Sequence, residues 1–198
     1  MLKIGITGNI GSGKTTVCKL FELIGTPVFF ADEAAKSLMI TDAELIAGVK
    51  QTFGEEAYLP DESLNRKYIA AIVFNDEKQL TKLNALVHPA VFKAFDNWAA
   101  AMPNDVPYVI KEAAILFESS SYKHCDKNIV VTAPLDMRIQ RVTKRDKITR
   151  EEVLNREARQ FPEEKKIQLA DYVIKNDESE LVIPQVLKLH DTFLSLGH

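Results

Sequence analysis

The chain has 198 residues, of which 46% are hydrophobic and 27% charged, the balance of an ordinary globular protein. Its formal net charge of -3 provides no overall positive field for nucleic acid, and no stretch approaches the ~20 apolar residues of a membrane span. The two cysteines, Cys18 and Cys125, suggest no metal site and fit a reducing compartment. From charge, hydropathy and cysteine content together, we expect a cytoplasmic protein that binds neither nucleic acid nor membrane.

The beginning of the chain predicts a strand, a helix and a second strand. Leu2–Thr7 is a short apolar run that ends at a glycine-rich turn. Lys14–Leu23 has apolar residues at helical spacing, and Gly25 is a natural stop. Val28–Phe30 is the second apolar run, and a carboxylate, Asp32, follows it closely.

From 33 to 102 the pattern is almost entirely helical and contains no obvious strand. Helix starts are predicted from side chains that cap or tolerate a first helical turn: Thr41, Ser63, Asn75 and Pro89. This stretch therefore predicts a helical insertion.

The remainder of the chain alternates strand and helix patterns. Runs rich in Val and Ile predict strands at 106–110, 128–132 and 172–174. Helices are predicted at 136–145, after a capping box opened by Thr149, and through 187–196. Strands separated by helices indicate an α/β fold, with a mostly parallel sheet that helices cover on both faces.

The glycine-rich turn carries a strong motif. The stretch 8–15 fits G-x-x-x-x-G-K-[ST] between a predicted strand and a predicted helix, the context that a P-loop requires. Its glycines allow turns that point successive N–H groups toward nucleotide phosphates at the helix N-terminus. Lys14 would supply charge to the β- and γ-phosphates, and Thr15 is placed to bind Mg²⁺. The predicted nucleotide site comprises Asn9, Ile10, Gly11, Ser12, Gly13, Lys14, Thr15 and Thr16.

The loop leaves three classes of protein open: a small-molecule kinase, a guanine-specific switch and a motor ATPase. The switch is disfavoured because the string nearest to Asn-Lys-x-Asp, at 143–146, lacks the Asn. The chain is short for a motor and shows no obvious docking surface.

Two carboxylates are candidates for the chemistry that a kinase needs. Asp32 follows the second strand, so in a parallel sheet it would emerge at the same edge as the loop and could orient an acceptor hydroxyl. An ordinary helix N-cap is the alternative for this residue. Glu112 ends a strand pattern, where it would either approach the Mg²⁺ shell or pair with Lys111 or a nearby arginine.

Arginines in the second half of the chain could absorb charge on a transferring phosphoryl group. Arg138, Arg141 and Arg145 lie at i, i+3 and i+7 on one predicted helix, and Arg156 and Arg159 form a second pair. Like charges at this spacing destabilise a helix unless an anion binds to them. The arginines therefore favour a lid that closes over phosphates.

The ordered set of motifs resembles the dephospho-CoA kinase family over nearly the whole chain. The loop GNIGSGKTTV is similar to that family's GGIGSGKSTV, and AILFE at 114–118 is similar to its PLLFE. Further matches follow in the family's order: Phe30-Ala31-Asp32, His88-Pro89, Arg156-x-x-x-Gln160, Lys165, Ala170-Asp171 and Asn176. The chain departs from the pattern at Phe30 and Glu112, where the family has Asp, and at Ala114, where it has Pro.

The resemblance implies a reaction and a set of site residues. ATP with Mg²⁺ would donate its γ-phosphoryl group to the ribose 3′-hydroxyl of dephospho-CoA, giving CoA and ADP in the last step of CoA synthesis. Asp32 would be the catalytic base or orienting carboxylate, assisted by Lys14 and Arg141. Binding roles would be divided as follows: Arg141 and Asn176 for ATP; Asp32, Arg66, His88 and Glu112 for the acceptor; Arg138, Arg145 and Arg156 for the lid; Thr15 and, through water, Glu112 for Mg²⁺.

The resemblance also implies one nucleotide-kinase-like body in three parts. These are a core of 1–32, 103–135 and 166–198, a helical acceptor lobe of 33–102 and a lid of 136–165. A nucleoside or nucleotide kinase with another acceptor, and a non-enzymatic P-loop switch, are the alternative functions.

Overall fold

The computed structural model describes residues 1–74 and 76–197, so the predicted N-cap Asn75 lies outside the described residues. The strands are β1 (Leu2–Thr7), β2 (Val28–Phe30), β3 (Tyr108–Glu112), β4 (Lys127–Thr132) and β5 (Tyr172–Lys175). The α-helices are α1 (Lys14–Leu23), α2 (Ala31–Thr41), α3 (Ala43–Phe53), α4 (Arg66–Val73), α5 (Glu77–Ala100), α6 (Leu135–Asp146), α7 (Arg150–Glu157), α8 (Glu163–Leu169) and α9 (Val182–Leu196).

Within these residues the strands form one parallel sheet in the order β2-β3-β1-β4-β5. The chain first places β2 and β3 on one side of β1 and then crosses to β4 and β5 on the other. Ile6 lies opposite Glu112, so the carboxyl ends of β1 and β3 are side by side. Open α/β sheets bind ligands at this kind of reversal. The predicted parallel α/β sheet is confirmed.

The sheet is buried on both faces, which explains why its strands are almost continuously apolar. On one face α1 and α9 bring Phe21 and Phe193 against Ile110. Val109 and Val130 occupy the alternate strand positions, whose side chains belong to the opposite face, and they are also fully buried. Each such aliphatic side chain contributes about 1.5–3 kcal/mol when removed from water. This core holds the carboxyl edge of the sheet in place.

The chain divides into two compact units. The first unit comprises Met1–Phe30 and the chain from Ala101 onward, and it contains the whole sheet. The second unit, Ala31–Ala100, contains the helices α2 to α5. The predicted acceptor lobe, 33–102, occupies the same part of the chain as the second unit, and its role stays a prediction.

The second unit has a core of its own, formed by the apolar faces of its helices. Its buried members are Met39, Leu45, Val49, Phe53, Ala57, Tyr58 and Ile69. The Tyr58 hydroxyl donates to the Met39 carbonyl at 2.7 Å, which satisfies both polar groups inside the unit.

Three of the predicted helix starts in this unit are wrong. Asp42 rather than Thr41 caps α3, because its carboxylate accepts from the Leu45 amide at 2.9 Å. Asn65 rather than Ser63 caps α4. Pro89 lies inside α5 instead of in a first turn, where it removes one helical hydrogen bond.

The first unit contains the capping box that the sequence predicts at α7. The Glu152 amide donates to the Thr149 hydroxyl at 3.2 Å, and the Thr149 amide donates to the Glu152 carboxylate at 2.8 Å. Across both units, none of the helices among residues 1–74 and 76–197 is long and apolar enough to span a bilayer.

Candidate active site

The P-loop joins β1 to α1 and depends on Gly13, which has a φ of 95°. A Cβ at this position would collide with the Asn176 side chain, so a glycine is required for two separate reasons. The Asn176 amide donates to the Ser12 carbonyl at 2.8 Å and holds the loop from one side. The structure shows that Asn176 supports the loop, and its predicted contact with a nucleotide stays a prediction.

The loop presents polar groups that suit an anion. The Ser12 hydroxyl is buried and has no hydrogen-bond partner among the described residues. Gly13 provides no side-chain cap for α1, so the first-turn amides of the helix, at Thr15 and Thr16, point out of its N-terminus unsatisfied by the helix itself. Free amides at the positive end of a helix bind phosphate.

Asn9 and Ile10 are held from behind by a segment that the sequence motifs did not connect with the loop. The side-chain nitrogen of Asn9 donates to the Glu157 carboxylate at 2.7 Å and to the Phe161 carbonyl at 3.2 Å. The Ile10 amide donates to the Gln160 side-chain oxygen at 2.8 Å. These side-chain contacts lie about 150 positions apart in sequence, beyond the reach of any local pattern.

Lys14 and Glu112 face each other at the carboxyl edge of the sheet. The Lys14 ammonium lies 3.9 Å from the Glu112 carboxylate, and both side chains are largely buried. The pairing register of β1 and β3 brings them together, because Glu112 ends β3 beside the start of the P-loop. The sequence left open a pairing of Glu112 with Lys111 or a nearby arginine, whereas this ion pair joins Glu112 to Lys14.

Two cavities adjoin the loop and share part of their lining. One, of about 270 Å³, is lined by Gly11, Gly13, Lys14, Thr15, Thr16, Arg141 and Arg145. The other, of about 290 Å³, is lined by Ile10, Gly11, Lys14, Ala114, Ile115, Arg145, Arg156, Arg159 and Gln160. Lys14 and Arg145 line both, so two cations mark the boundary between the cavities.

The predicted arginines separate into a buried one and several that line the cavities. Arg138 is buried, donates to the Ala133 carbonyl and forms an ion pair with Glu157 at 2.6 Å. Arg141 donates through one terminal nitrogen to the Asn176 carbonyl at 3.0 Å, whereas the other is buried with no hydrogen-bond partner among the described residues. The bond to Asn176 thus holds the Arg141 guanidinium in place, and its other terminal nitrogen can donate to an anion.

Arg145 and Arg156 share one acidic residue, Asp146. Arg145 binds Asp146 through two nitrogens, and this hydrogen bonding raises the pKa of Arg145 and lowers that of Asp146. Arg156 lies 3.6 Å from the same carboxylate. Acids at the end of α6 and on α7 thus neutralise part of the positive charge of the predicted arginines.

The remaining predicted residues lie in the second unit. Asp32 is exposed in the first turn of α2, and among residues 1–74 and 76–197 it makes no hydrogen bond or ion pair. It follows the first helical residue and does not occupy an N-cap position. Arg66 is exposed at the start of α4, and His88 stacks on Phe92 within α5 with ring centroids 6.1 Å apart.

The loop surroundings fit a magnesium ion that arrives with a nucleotide. No group of three or more His, Cys, Asp or Glu side chains among the described residues could hold a metal by itself. Thr15 is exposed in the first turn of α1, and Glu112 lies close by on β3 beside Lys14. Because Mg²⁺ keeps several waters and binds through one or two protein oxygens plus phosphates, these residues suit it.

A parallel sheet in this order, with a P-loop after its central strand and arginines over the adjoining cavities, defines a P-loop kinase. A sequence model of dephospho-CoA kinases matches residues 2–181. The chain therefore belongs to the dephospho-CoA kinase family.

Individual relatives agree with this assignment. A dephospho-CoA kinase of Salinibacter ruber is 42% identical over 178 residues, covering 89% of each chain. One of Chlorobium chlorochromatii is 39% identical and covers 98% of this chain and 94% of its own. A crystal structure from Thermus thermophilus superposes with a TM-score of 0.84 at 35% identity over 96% of each chain. A shikimate kinase of Acinetobacter baumannii shares the fold, with a TM-score of 0.55 at 17% identity over 98% of this chain and 94% of its own.

Proposed function

We propose that this enzyme transfers the γ-phosphoryl group of ATP to the ribose 3′-hydroxyl of dephospho-CoA, giving CoA and ADP. The observation that carries the proposal is the pair of cavities that share Lys14 and Arg145. A phosphoryl group passing from one cavity to the other would remain beside these two cations throughout. Among the residues that the structure describes, neither Cys18 nor Cys125 is in a disulfide, which supports placing the reaction in the reducing cytoplasm.

The cavity beside Thr15 and Thr16 is assigned to ATP. First-turn amides of α1 bind the phosphates, and the unpartnered nitrogen of Arg141 adds a charged donor. Asn176 keeps the loop in place at the nucleotide end. Mg²⁺ would be held by the Thr15 hydroxyl, with Glu112 in reach through water, and would neutralise charge on the phosphates.

The cavity lined by Arg156 and Arg159 is assigned to the transfer side. Cations there stabilise the negative charge on the transferring group and the leaving phosphate, which is the main contribution of a protein to phosphoryl transfer. Arg138 contributes indirectly, because its ion pair with Glu157 supports the loop and α7. We assign the segment 136–165 as the lid on the strength of these arginines.

Asp32 is assigned to the acceptor hydroxyl. The exposed Asp32 carboxylate makes no hydrogen bond among the described residues, so it can accept one from the 3′-hydroxyl. It would then align the hydroxyl oxygen with the γ-phosphorus and take the hydroxyl proton. Arg66 and His88 belong to the same unit, and we assign the segment 33–102 to acceptor binding. Lys14 and the arginines then neutralise charge while Asp32 orients the nucleophile.

Replacing Asp32 tests this assignment with a matched neighbour as control. Asp32→Asn should lower kcat by about 10²–10⁴-fold, the usual contribution of a general base, and leave the Kd for ATP nearly unchanged. A coupled assay with ATP, Mg²⁺ and dephospho-CoA measures kcat, and calorimetry measures ATP binding. Glu33→Gln, which neutralises the adjacent exposed carboxylate, should turn over normally.

The same assay decides between acceptors. Wild-type protein that phosphorylates nucleosides or nucleotides but not dephospho-CoA would contradict the proposed substrate. Normal turnover by Asp32→Asn would contradict the role of Asp32 alone.

A further inference from the structure

Gln160 lies between the P-loop and the segment that follows β3. Its side-chain oxygen accepts from the Ile10 amide at 2.8 Å, and its side-chain nitrogen donates to the Ala114 carbonyl at 2.9 Å. A carboxamide is the neutral side chain that donates and accepts at once in this way. The two backbone partners also settle its orientation, because one can only donate and the other can only accept.

The neighbouring residue strengthens the same junction. The Phe161 amide donates to the Glu118 carboxylate at 2.7 Å, and the Phe161 carbonyl accepts from Asn9 at 3.2 Å. Glu118 is in turn paired with fully buried Lys166 at 3.0 Å. Gln160 and Phe161 thus bind both the P-loop and the chain after β3.

This junction directly follows two arginines that line a cavity, Arg156 near the end of α7 and Arg159 just after it. The Arg159 amide donates to the Arg156 carbonyl at 3.3 Å, and the Gln160 amide donates to the Glu157 carbonyl at 2.9 Å. These bonds make 156–160 a compact turn, so fixing Gln160 also fixes the backbone that bears Arg156. The side chains of Arg156 and Gln160 both line the cavity assigned to the transfer side.

We infer that Gln160 is a positioning residue for phosphoryl transfer: its carboxamide ties the P-loop to the segment after β3 and so holds Arg156 in register with Lys14. The inference rests on the proposed function. Binding of ATP depends on the loop amides and Lys14, whereas charge neutralisation at the transferring group depends on the register of Arg156 with Lys14. Loss of Gln160 should therefore affect kcat more than the KM for ATP.

Gln160→Met tests the inference, since methionine keeps the length and removes both hydrogen bonds. Misplacement of a reacting group by about 1 Å costs about 10²-fold in rate, so we expect kcat to fall by about 10–100-fold. The KM for ATP should stay within about threefold of the wild-type value. Gln168→Met, the same substitution at an exposed glutamine of α8, is the control and should behave as wild type.

A double variant separates positioning from a general structural role. Arg156→Ala removes the group through which Gln160 is inferred to act, so adding Gln160→Met should lower kcat by no more than about twofold further. Losses that multiply would overturn the inference, as would a Gln160→Met enzyme with wild-type kcat. Wild-type protein is measured in the same assay to test the proposed function separately. If the wild type did not phosphorylate dephospho-CoA, the proposed function would fail, whatever the Gln160 variants did.

Gln160→Glu is the second variant if the methionine form does not fold. It keeps an acceptor for the Ile10 amide but replaces the donor to Ala114 with an oxygen. Circular dichroism confirms folding, and kcat should again fall by about tenfold or more. A folded Gln160→Glu enzyme with wild-type kcat would overturn the inference.

Discussion

At the scale of single residues, Gly13 shows how closely the loop is fitted to its surroundings. Gly13→Ala places a Cβ against the Asn176 amide and forces a side chain into a left-handed backbone. We expect a loss of stability of about 1–3 kcal/mol from the backbone strain and, because the Asn176 contact with Ser12 is displaced, a loss of ATP binding. Differential scanning fluorimetry and ATP titration measure the two effects.

Gly25→Ala is the matched control for that substitution. Gly25 has a φ of 88°, but nothing lies within 4 Å of the position of its Cβ. Its replacement should lower the melting temperature while leaving ATP affinity intact. Equal ATP affinity of both variants would show that the Asn176 contact is dispensable for the loop.

Sequence alone predicts the residues of this site whose chemistry is local, and it misses those whose partners are distant. Lys14 and Thr15 follow from the spacing of one motif. Glu157 and Gln160 reach the loop from about 150 positions away, and no periodicity marks such a contact. The family resemblance places Gln160 in a pattern, but its two hydrogen bonds emerge only from the fold.

At the scale of elements, the Thr149 capping box fixes where α7 begins. Thr149→Ala removes the hydroxyl that accepts from the Glu152 amide, a change that costs about 0.5–2 kcal/mol at N-caps. We expect the melting temperature to fall by about 2–4 °C per kcal/mol. Thr192→Ala, which removes a hydroxyl bonded only within α9, is the control and should lower it less.

The contact between β3 and α9 should make stability depend on alkaline pH. Burial raises the pKa of Tyr108 to about 12, while its hydroxyl accepts from Thr26 at 2.9 Å and contacts His190 at 2.6 Å. The unfolded chain releases this proton near the ordinary value of 10.0, before the folded chain does. The contribution is therefore complete below pH 10 and is lost as pH rises toward 12.

Tyr108→Phe should remove this part of the pH dependence. Urea unfolding between pH 9 and 11 measures the free energy of unfolding of both proteins. Wild type should lose stability more steeply above pH 10 than the variant. Parallel slopes would contradict the link to Tyr108.

Element bounds were predictable where one residue type dominates a boundary. Leu2–Thr7, Lys14–Leu23 and Val28–Phe30 were predicted as the structure has them, because glycines and polar residues separate the runs sharply. Boundaries failed where two capping residues compete within a few positions, as at Thr41 and Asp42. There Thr41 is still part of α2, where its hydroxyl donates to the Ser37 carbonyl, and Asp42 caps α3 instead.

At the scale of the whole molecule, the two compact units carry different parts of the proposed chemistry. The P-loop, both cavities and the arginines that line them belong to the first unit, and Asp32 belongs to the second. Sequence patterns indicated a helical insertion because 33–102 contains no strand signal. The proposed approach of Asp32 to the acceptor hydroxyl depends on contacts with both substrates, which no pattern in the sequence describes.

This division predicts how ATP should stabilise the protein. A ligand that binds the folded state alone adds about 2.7 kcal/mol at a concentration of 100 times its Kd, which corresponds to about 5–11 °C in melting temperature. ATP with Mg²⁺ should give this shift without acceptor, because the loop lies in one unit. Asp32→Asn should retain the shift and Lys14→Ala should lose most of it. If Asp32→Asn lost the shift as well, that carboxylate would belong to the nucleotide site, and its assignment to the acceptor hydroxyl would fail.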